Sequence, residues 1–150
     1  MLTVVEKQKN IDYQTRKSSY GIVQNELGQI AVVYHDNWGL IFLGGKVEEN
    51  EKSDETIKRE ALEEIGYEVD DLKYYDTIEA YYEVWFRGMG LINSHNIADF
   101  YTGTIKSKVQ EQIEPDTSLR WYYPNELFGK MKLEFQNVML EKLYKNNKNN

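Results

Sequence analysis

The 150-residue chain contains no cysteine. A disulfide framework, a thiolate metal centre and a cysteine nucleophile are therefore excluded. Positive charge is scarce: 18 Lys and Arg face 25 Asp and Glu, a formal net charge of −7. A surface of that sign does not attract a polyanion, so nucleic acid is not an expected partner. The same charge would repel a phosphorylated small molecule, unless carboxylates collect divalent cations and reverse the local sign. Long apolar runs are also missing. None approaches the length needed to cross a membrane, and the first twenty residues are polar and lack the apolar segment of a signal peptide. The expectation is a soluble, cytoplasmic protein with no membrane partner. Only two histidines occur, His35 and His95; they are too far apart in sequence to form a paired metal motif and read as ordinary residues.

What is present indicates a packed core. Hydrophobic residues make up 41% and aromatic residues 13%, with twelve Tyr, three Trp and five Phe. This is the composition of a globular chain, and rings of this kind favour strands. The length fits one domain spanning 1–150, with no repeat, linker or low-complexity tract.

Along the chain, Tyr20–Gln24 and Gln29–His35 read as strands joined by the turn Asn25-Glu26-Leu27-Gly28. A second turn, Asp36-Asn37-Trp38-Gly39, leads to the apolar run Leu40–Leu43, which ends at Gly44-Gly45. Lys46–Lys52 reads as a charged loop. Ser53–Ile65 reads as a helix with Ser53 as N-cap, Asp54 and Glu55 in the first turn and Gly66 past its end. Lys73–Phe86 contains strand, Arg87–Asn96 reads as loop because of its Gly, Asn and Ser, and Ile97–Ile105 is strand again. Leu119–Tyr123 is a short strand, after which Pro124 opens a C-terminal helix over Asn125–Tyr144. The tail Lys145–Asn150 is polar and expected to fray. Strands, a helix, more strands and a final helix describe an α+β fold with helices packed on a mixed sheet.

The chemistry concentrates in Gly45–Tyr67. At about 100° per residue, Ile57, Ala61 and Ile65 form an apolar stripe with Leu62 at its edge, and that stripe should face the sheet. Glu60, Glu63 and Glu64 fall on a separate arc roughly 100° wide. Like charges at this spacing destabilise a helix. Hard divalent cations remove the cost, because carboxylate oxygens suit Mg²⁺ and Mn²⁺. The preceding loop adds Glu48, Glu49 and Glu51, and Gly44-Gly45 lets a ligand approach the backbone closely. A bare Glu-rich face would be read as solvated surface; here the full spacing decides otherwise.

That spacing is Gly45, five residues, Glu51, seven residues, Arg59-Glu60, Ala61, one residue, Glu63-Glu64, one residue, Gly66 and Tyr67. It resembles the Nudix box and matches all seven of its fixed letters. A chance match has a probability on the order of 10⁻⁸ per start position. Two positions depart from the usual pattern: Tyr67 where an aliphatic residue is common, and Leu43 where many relatives carry Pro. Neither touches a carboxylate.

The resemblance implies a MutT-like Nudix hydrolase with an α/β/α fold, a mixed sheet sandwiched between helices. It implies Glu60 and Glu64 as the principal metal ligands, with Glu63 as a ligand or as the base that deprotonates water, and Glu51 near the metal. Arg59 is implied to brace the carboxylates through an ion pair to Glu51, which its guanidinium fork can grip with two hydrogen bonds. Many relatives add a carboxylate from outside the box; Glu114 is the candidate, with Glu79, Glu83 and Asp99 as rivals. The implied cofactor is Mg²⁺, with Mn²⁺ as substitute. The implied substrate is a nucleoside diphosphate linked to another group, an oxidised dGTP being one example. Relatives are often dimers, so the resemblance admits a homodimer.

Substrate-binding candidates are Gly44, Gly45 and Arg16, with Lys17 and Arg87 as further cations; Tyr34, Trp38, Tyr81, Tyr82 and Phe100 offer ring faces for a base. Two other readings compete. A non-catalytic nucleotide-binding sensor on the same fold should have lost box carboxylates, and none is lost here. A docking domain that presents the Glu face to a basic partner should bind independently of Mg²⁺ and weaken steeply with salt.

Overall fold

The computed structural model describes residues 2–4, 6–36, 38–86 and 88–145. Seven strands form one mixed sheet in the order β1-β5-β6-β2-β4-β3-β7. They are β1 (Leu2–Val4), β2 (Gln14–Gln24), β3 (Ile30–His35), β4 (Gly39–Lys46), β5 (Tyr67–Phe86), β6 (Gly90–Lys108) and β7 (Thr117–Tyr122). The β1–β5 and β2–β6 pairs are parallel, and the others are antiparallel. The helices are α1 (Ser53–Ile65), α2 (Pro124–Leu127) and α3 (Glu134–Tyr144). No helix among the described residues is long and apolar enough to cross a membrane.

Period-two alternation divides the strands between two cores. Ile22, Ile30, Val32, Phe42, Ile78, Ala80 and Phe100 pack with Leu127, Phe135, Met139 and Leu140 of α2 and α3. Val23, Ala31, Val33 and Leu43 pack with Ile57, Ala61 and Ile65 of α1. The sheet therefore lies between helices, and the stripe Ile57–Ala61–Ile65 faces it. Strand β4 joins the halves: residues 39–42 pair with β3 and residues 43–46 with β2.

Several sequence expectations are corrected. Strand β2 begins at Gln14 rather than Tyr20, because its parallel ladder with β6 runs from Gln14 through Gln24. Gly44-Gly45 lies inside β4, not after it. Much of the expected loop Arg87–Asn96 is strand: β5 and β6 form one long hairpin paired from Glu83↔Asn93 to Phe86↔Gly90 near its tip. The polar residues that suggested a loop are satisfied within the fold; buried Asn96 accepts a hydrogen bond from Ser18 and donates one to Tyr82. Arg87, Asn37 and the tail beyond Lys145 lie outside the described residues. The expected single C-terminal helix is two, broken near Gly129 at a φ of 75°. In the connection, the Asn137 side chain bonds both the N–H and the C=O of Met131.

Helix α1 begins and ends at Ser53 and Ile65, but its N-cap is Lys52, not Ser53. The Glu55 carboxylate accepts from the Lys52 N–H at 3.0 Å. Ser53 is released from capping, and its hydroxyl donates to Asp99 on β6 at 2.7 Å. At the other end Gly66, at a φ of 74°, closes the helix through N–H bonds to Ala61 and Leu62.

Candidate active site

Arg59 organises the site. It projects from α1 into the loop and β4 backbone that precede the helix. Its Nε donates to Glu51 Oε2 at 2.7 Å and its Nη2 to Glu51 Oε1 at 3.1 Å, the two-pronged pairing expected of a guanidinium and a carboxylate. The same Nη2 donates to the Lys46 carbonyl at 3.1 Å. Nη1 turns the other way, to Glu60 at 2.9 Å and Glu63 at 3.3 Å. Hydrogen bonding from Arg59 holds the Glu51 carboxyl down at about 2, so Glu51 is ionised across the neutral range. The Arg59 guanidinium is raised in return, chiefly by Glu51.

Next to Arg59 is a crowd of carboxylates. One oxygen each from Glu60, Glu63 and Glu114 lies within 4.8 Å of the others. Glu60 and Glu63 share a face because they are three residues apart on α1. Glu114 arrives from the segment before β7, which is fixed to the helix end: the N–H groups of Ile113 and Glu114 both donate to the Glu63 carbonyl. Thr117 adds hydrogen bonds to the Glu64 and Glu114 carbonyls, each at 3.1 Å. Glu64 is 4% exposed and accepts from the Gly44 N–H at 3.2 Å.

Burial and mutual repulsion oppose ionisation here. Glu60 is pushed up to about 7, mainly by burial, with Arg59 pulling it down and Glu63 and Glu114 pushing it up. Burial, then Glu60, raises Glu64 well above the usual carboxylate range. Burial and Glu63 also raise Glu114, while the His35 imidazole works in the opposite direction. Glu60, Glu63 and Glu114 converge beside one turn of α1, while Glu64 lies outside that cluster with its carboxylate on the Gly44 N–H; the three make an all-oxygen site that suits a hard cation.

The glycines set the floor. Gly44 sits at a φ of 144°, and a Cβ there would lie 2.0 Å from the Ser19 carbonyl oxygen. A Cβ on Gly45 would meet Glu60 Oε1 at 3.0 Å. Only a chain without side chains can pass this close to both β2 and the helix carboxylate.

The other candidates are dispersed. Arg16 shares a face of β2 with Ser18 and Tyr20, on the α3 side, and its Nε is buried without a hydrogen-bond partner among the described residues. Lys17 pairs with Asp99 at 3.4 Å. Among the rivals of Glu114, Asp99 is bonded to Ser53 and Thr77, Glu79 to His95, and Glu83 is exposed. Phe100 is fully buried in the α3 core, Tyr81 stacks on His95 at 4.2 Å, and Arg120 lies over Tyr34 at 4.1 Å.

Trp38 and Tyr82 are brought together. With Trp85, Leu133 and Phe135 they line a cavity of about 420 Å³ on the α3 side, where Glu83, Lys132 and Glu134 supply charge. Trp38 makes an edge contact with His35 at 6.3 Å, and His35 acts to lower Glu114. The sequence reads His35 as an ordinary residue and nominates none of the residues at the start of α3 for this site. Nor does it nominate Thr56, a buried hydroxyl in a helix interior, where Thr is otherwise unfavourable.

Comparison with known proteins agrees with this geometry. A family model for the NUDIX domain matches residues 15–143. The fold resembles a MutT protein from Methanosarcina mazei Go1 at TM-score 0.67 and 21% identity, covering 93% of this chain and 99% of that one. It also resembles a NUDIX hydrolase from Nitrosomonas europaea at TM-score 0.64 and 14% identity, covering 87% and 90%. A third likeness is the dihydroneopterin triphosphate pyrophosphohydrolase of E. coli, at TM-score 0.62 and 14% identity, covering 89% and 98%. Curated proteins give no match. With a complete box running from the end of β4 through α1 to the start of β5, and the family model spanning nearly the whole sheet and α3, the chain belongs to the Nudix family of diphosphate-cleaving hydrolases.

Proposed function

We propose that this protein is a Mg²⁺-dependent hydrolase that cuts the diphosphate link of a nucleoside diphosphate derivative or a similar heteroaromatic di- or triphosphate. The observation that carries this reading is the convergence of Glu60, Glu63 and Glu114 within 4.8 Å beside the Arg59 fork. The donor set fits the cation: it is all oxygen, preassembled and costly to ionise without a counter-charge. When bound, Mg²⁺ neutralises phosphate oxygens and acidifies a water, with Mn²⁺ as a substitute.

The chain's own groups do the rest. Glu60 and Glu114 would hold the cation, with Glu64, which lies outside their cluster, as the further ligand that the family pattern suggests. Glu63, the most exposed of the carboxylates paired with Arg59 on α1, takes the proton from the attacking water. Arg59 keeps Glu60 and Glu63 aimed while Glu51 anchors it. Gly44 and Gly45 let β4 pass close to Ser19 and Glu60, which keeps their backbone beside the carboxylates where a phosphate would lie, and Arg16 offers a buried N–H to an anion or a base edge. The aromatic cavity at Trp38 and Tyr82 supports a flat ring as the group carried on the diphosphate. An oxidised dGTP and a pterin triphosphate both meet that description. The net charge of −7 favours a small-molecule substrate over nucleic acid. We further propose a single catalytic domain that works in the cytoplasm, with a homodimer as the assembly to look for.

The test is a panel of nucleoside triphosphates, nucleotide sugars, dinucleoside polyphosphates and pterin triphosphates, each with and without Mg²⁺. The expected result is Mg²⁺-dependent release of a monophosphate, abolished in Glu63→Gln and Glu60→Gln. Tight ligand binding with no turnover across the panel would favour the sensor reading instead.

A further inference from the structure

Glu51 does not face the carboxylate crowd as a free ligand. Its Oε2 is taken by Arg59 Nε at 2.7 Å. Its Oε1 receives the Glu48 N–H at 3.1 Å, Arg59 Nη2 at 3.1 Å and, closest of all, the Thr56 hydroxyl at 2.6 Å. Thr56 is fully buried on the first turns of α1, with its backbone N–H bonded to Lys52 at 3.1 Å. Its position lies between Glu51 and Arg59, where the box prescribes no residue type.

These contacts form a chain of command. Thr56 and the Glu48 N–H fix Glu51, Glu51 fixes two nitrogens of the guanidinium, and the third nitrogen fixes Glu60 and Glu63. A planar fork held at one end has little freedom at the other. Groups that orient metal ligands from behind commonly set affinity and rate.

We propose that the Thr56 hydroxyl is a positioning group of this active site, holding the Glu51–Arg59 pair in the one orientation that aims Glu60 at the cation and Glu63 at the attacking water. The proposal rests on the metal-dependent reading above. Thr56 touches neither substrate nor metal; it acts through Arg59.

The experiment uses the full chain, Mn²⁺ as the probe and three variants. Thr56→Val removes the hydroxyl at constant shape. Thr56→Ala repeats the removal with the strongest helix former, should valine not fold. Thr56→Ser keeps the hydroxyl. Mn²⁺ affinity is read by electron paramagnetic resonance below the unfolding transition, and the Arg59 Nε–H proton signal by NMR on metal-free protein. The expected result is a loss of affinity of about tenfold in Thr56→Val and Thr56→Ala with a moved Arg59 signal, while Thr56→Ser stays within about twofold of wild type. A folded Thr56→Val with wild-type Mn²⁺ affinity overturns the proposal, as does a Thr56→Ser that loses as much as valine. Absence of Mn²⁺ binding by wild type would overturn the proposed function itself. In that event an unmoved Arg59 signal in Thr56→Val would overturn the positioning role separately.

Discussion

The two faces of the sheet are built by different rules. On the α1 face, the proposed catalytic groups among the described residues lie within one short stretch, Gly44 to Glu64, joined by Glu114 from afar. On the α3 face, the cavity draws on Trp38, on β5 from Ala80 to Trp85 and on the approach to α3 from Lys132 to Phe135. The first site must hold several like charges a few ångströms apart, and a helix turn does that with a fixed spacing. The second need only present ring faces and apolar walls, and many arrangements of distant residues can do so. On the function proposed, the first would fix the reaction and the second the substrate.

If that division is correct, damage to the two faces should differ in kind as well as in size. The largest effect is expected from Glu63→Gln, which removes the proposed base: a loss in kcat of about 10²- to 10⁴-fold with KM little changed. Steady-state kinetics at saturating Mg²⁺ would show it. On the other face, Trp38→Ala should raise KM about tenfold and leave kcat nearly intact, because it removes binding shared by ground and transition states. If Trp38→Ala lowered kcat and spared KM, the separation of roles would fail.

A third, smaller effect belongs to the α1 face and is read by pH. Glu60 and Glu64 have folded-state values raised above those of the unfolded chain. Their contribution to stability is thus fully present below the ordinary carboxylate range and is lost as pH rises through the folded values, which for Glu60 means near 7. Metal-free protein should lose stability between pH 5 and 8, by an amount on the order of 3 kcal/mol for Glu60 alone. Glu60→Gln should flatten that slope, and saturating Mg²⁺ should do the same in wild type. Glu51 runs the other way: its value is depressed to about 2, so its contribution is lost only as pH falls from the ordinary range toward 2. Thermal unfolding across pH, with and without Mg²⁺, measures both.

The same division explains what could be read from the sequence. Helix α1 was legible to the residue, since its apolar stripe, acidic arc and terminal Gly66 all have the 3.6-residue period. Only its cap was misread, because Ser53 serves Asp99 on β6, a partner 46 positions away. Glu114 could be nominated through the resemblance, but nothing local marks it; its place depends on backbone bonds to the Glu63 carbonyl. The Gly, Asn and Ser of the β5–β6 hairpin disfavour strand locally, yet the ladder across the tip and, further along β6, the bonds of Asn96 to buried Ser18 and half-buried Tyr82 outweigh local preference. The break between α2 and α3 was hidden for a similar reason: Asn137 reaches back to Met131, and a propensity does not register such a contact. The cavity is legible in the sequence only as Trp38 and Tyr82, two of five rings offered for a base; their meeting with Phe135 depends on tertiary packing.

The central claim is that the crowded carboxylates exist to hold a divalent cation. Calorimetric titration of metal-free protein with Mg²⁺, in wild type and in Glu60→Gln and Glu114→Gln, tests it most directly. The account predicts saturable binding by wild type and a loss of affinity of roughly 10- to 100-fold in each variant. Wild-type affinity in both variants, or no binding by the folded wild-type protein, would contradict it.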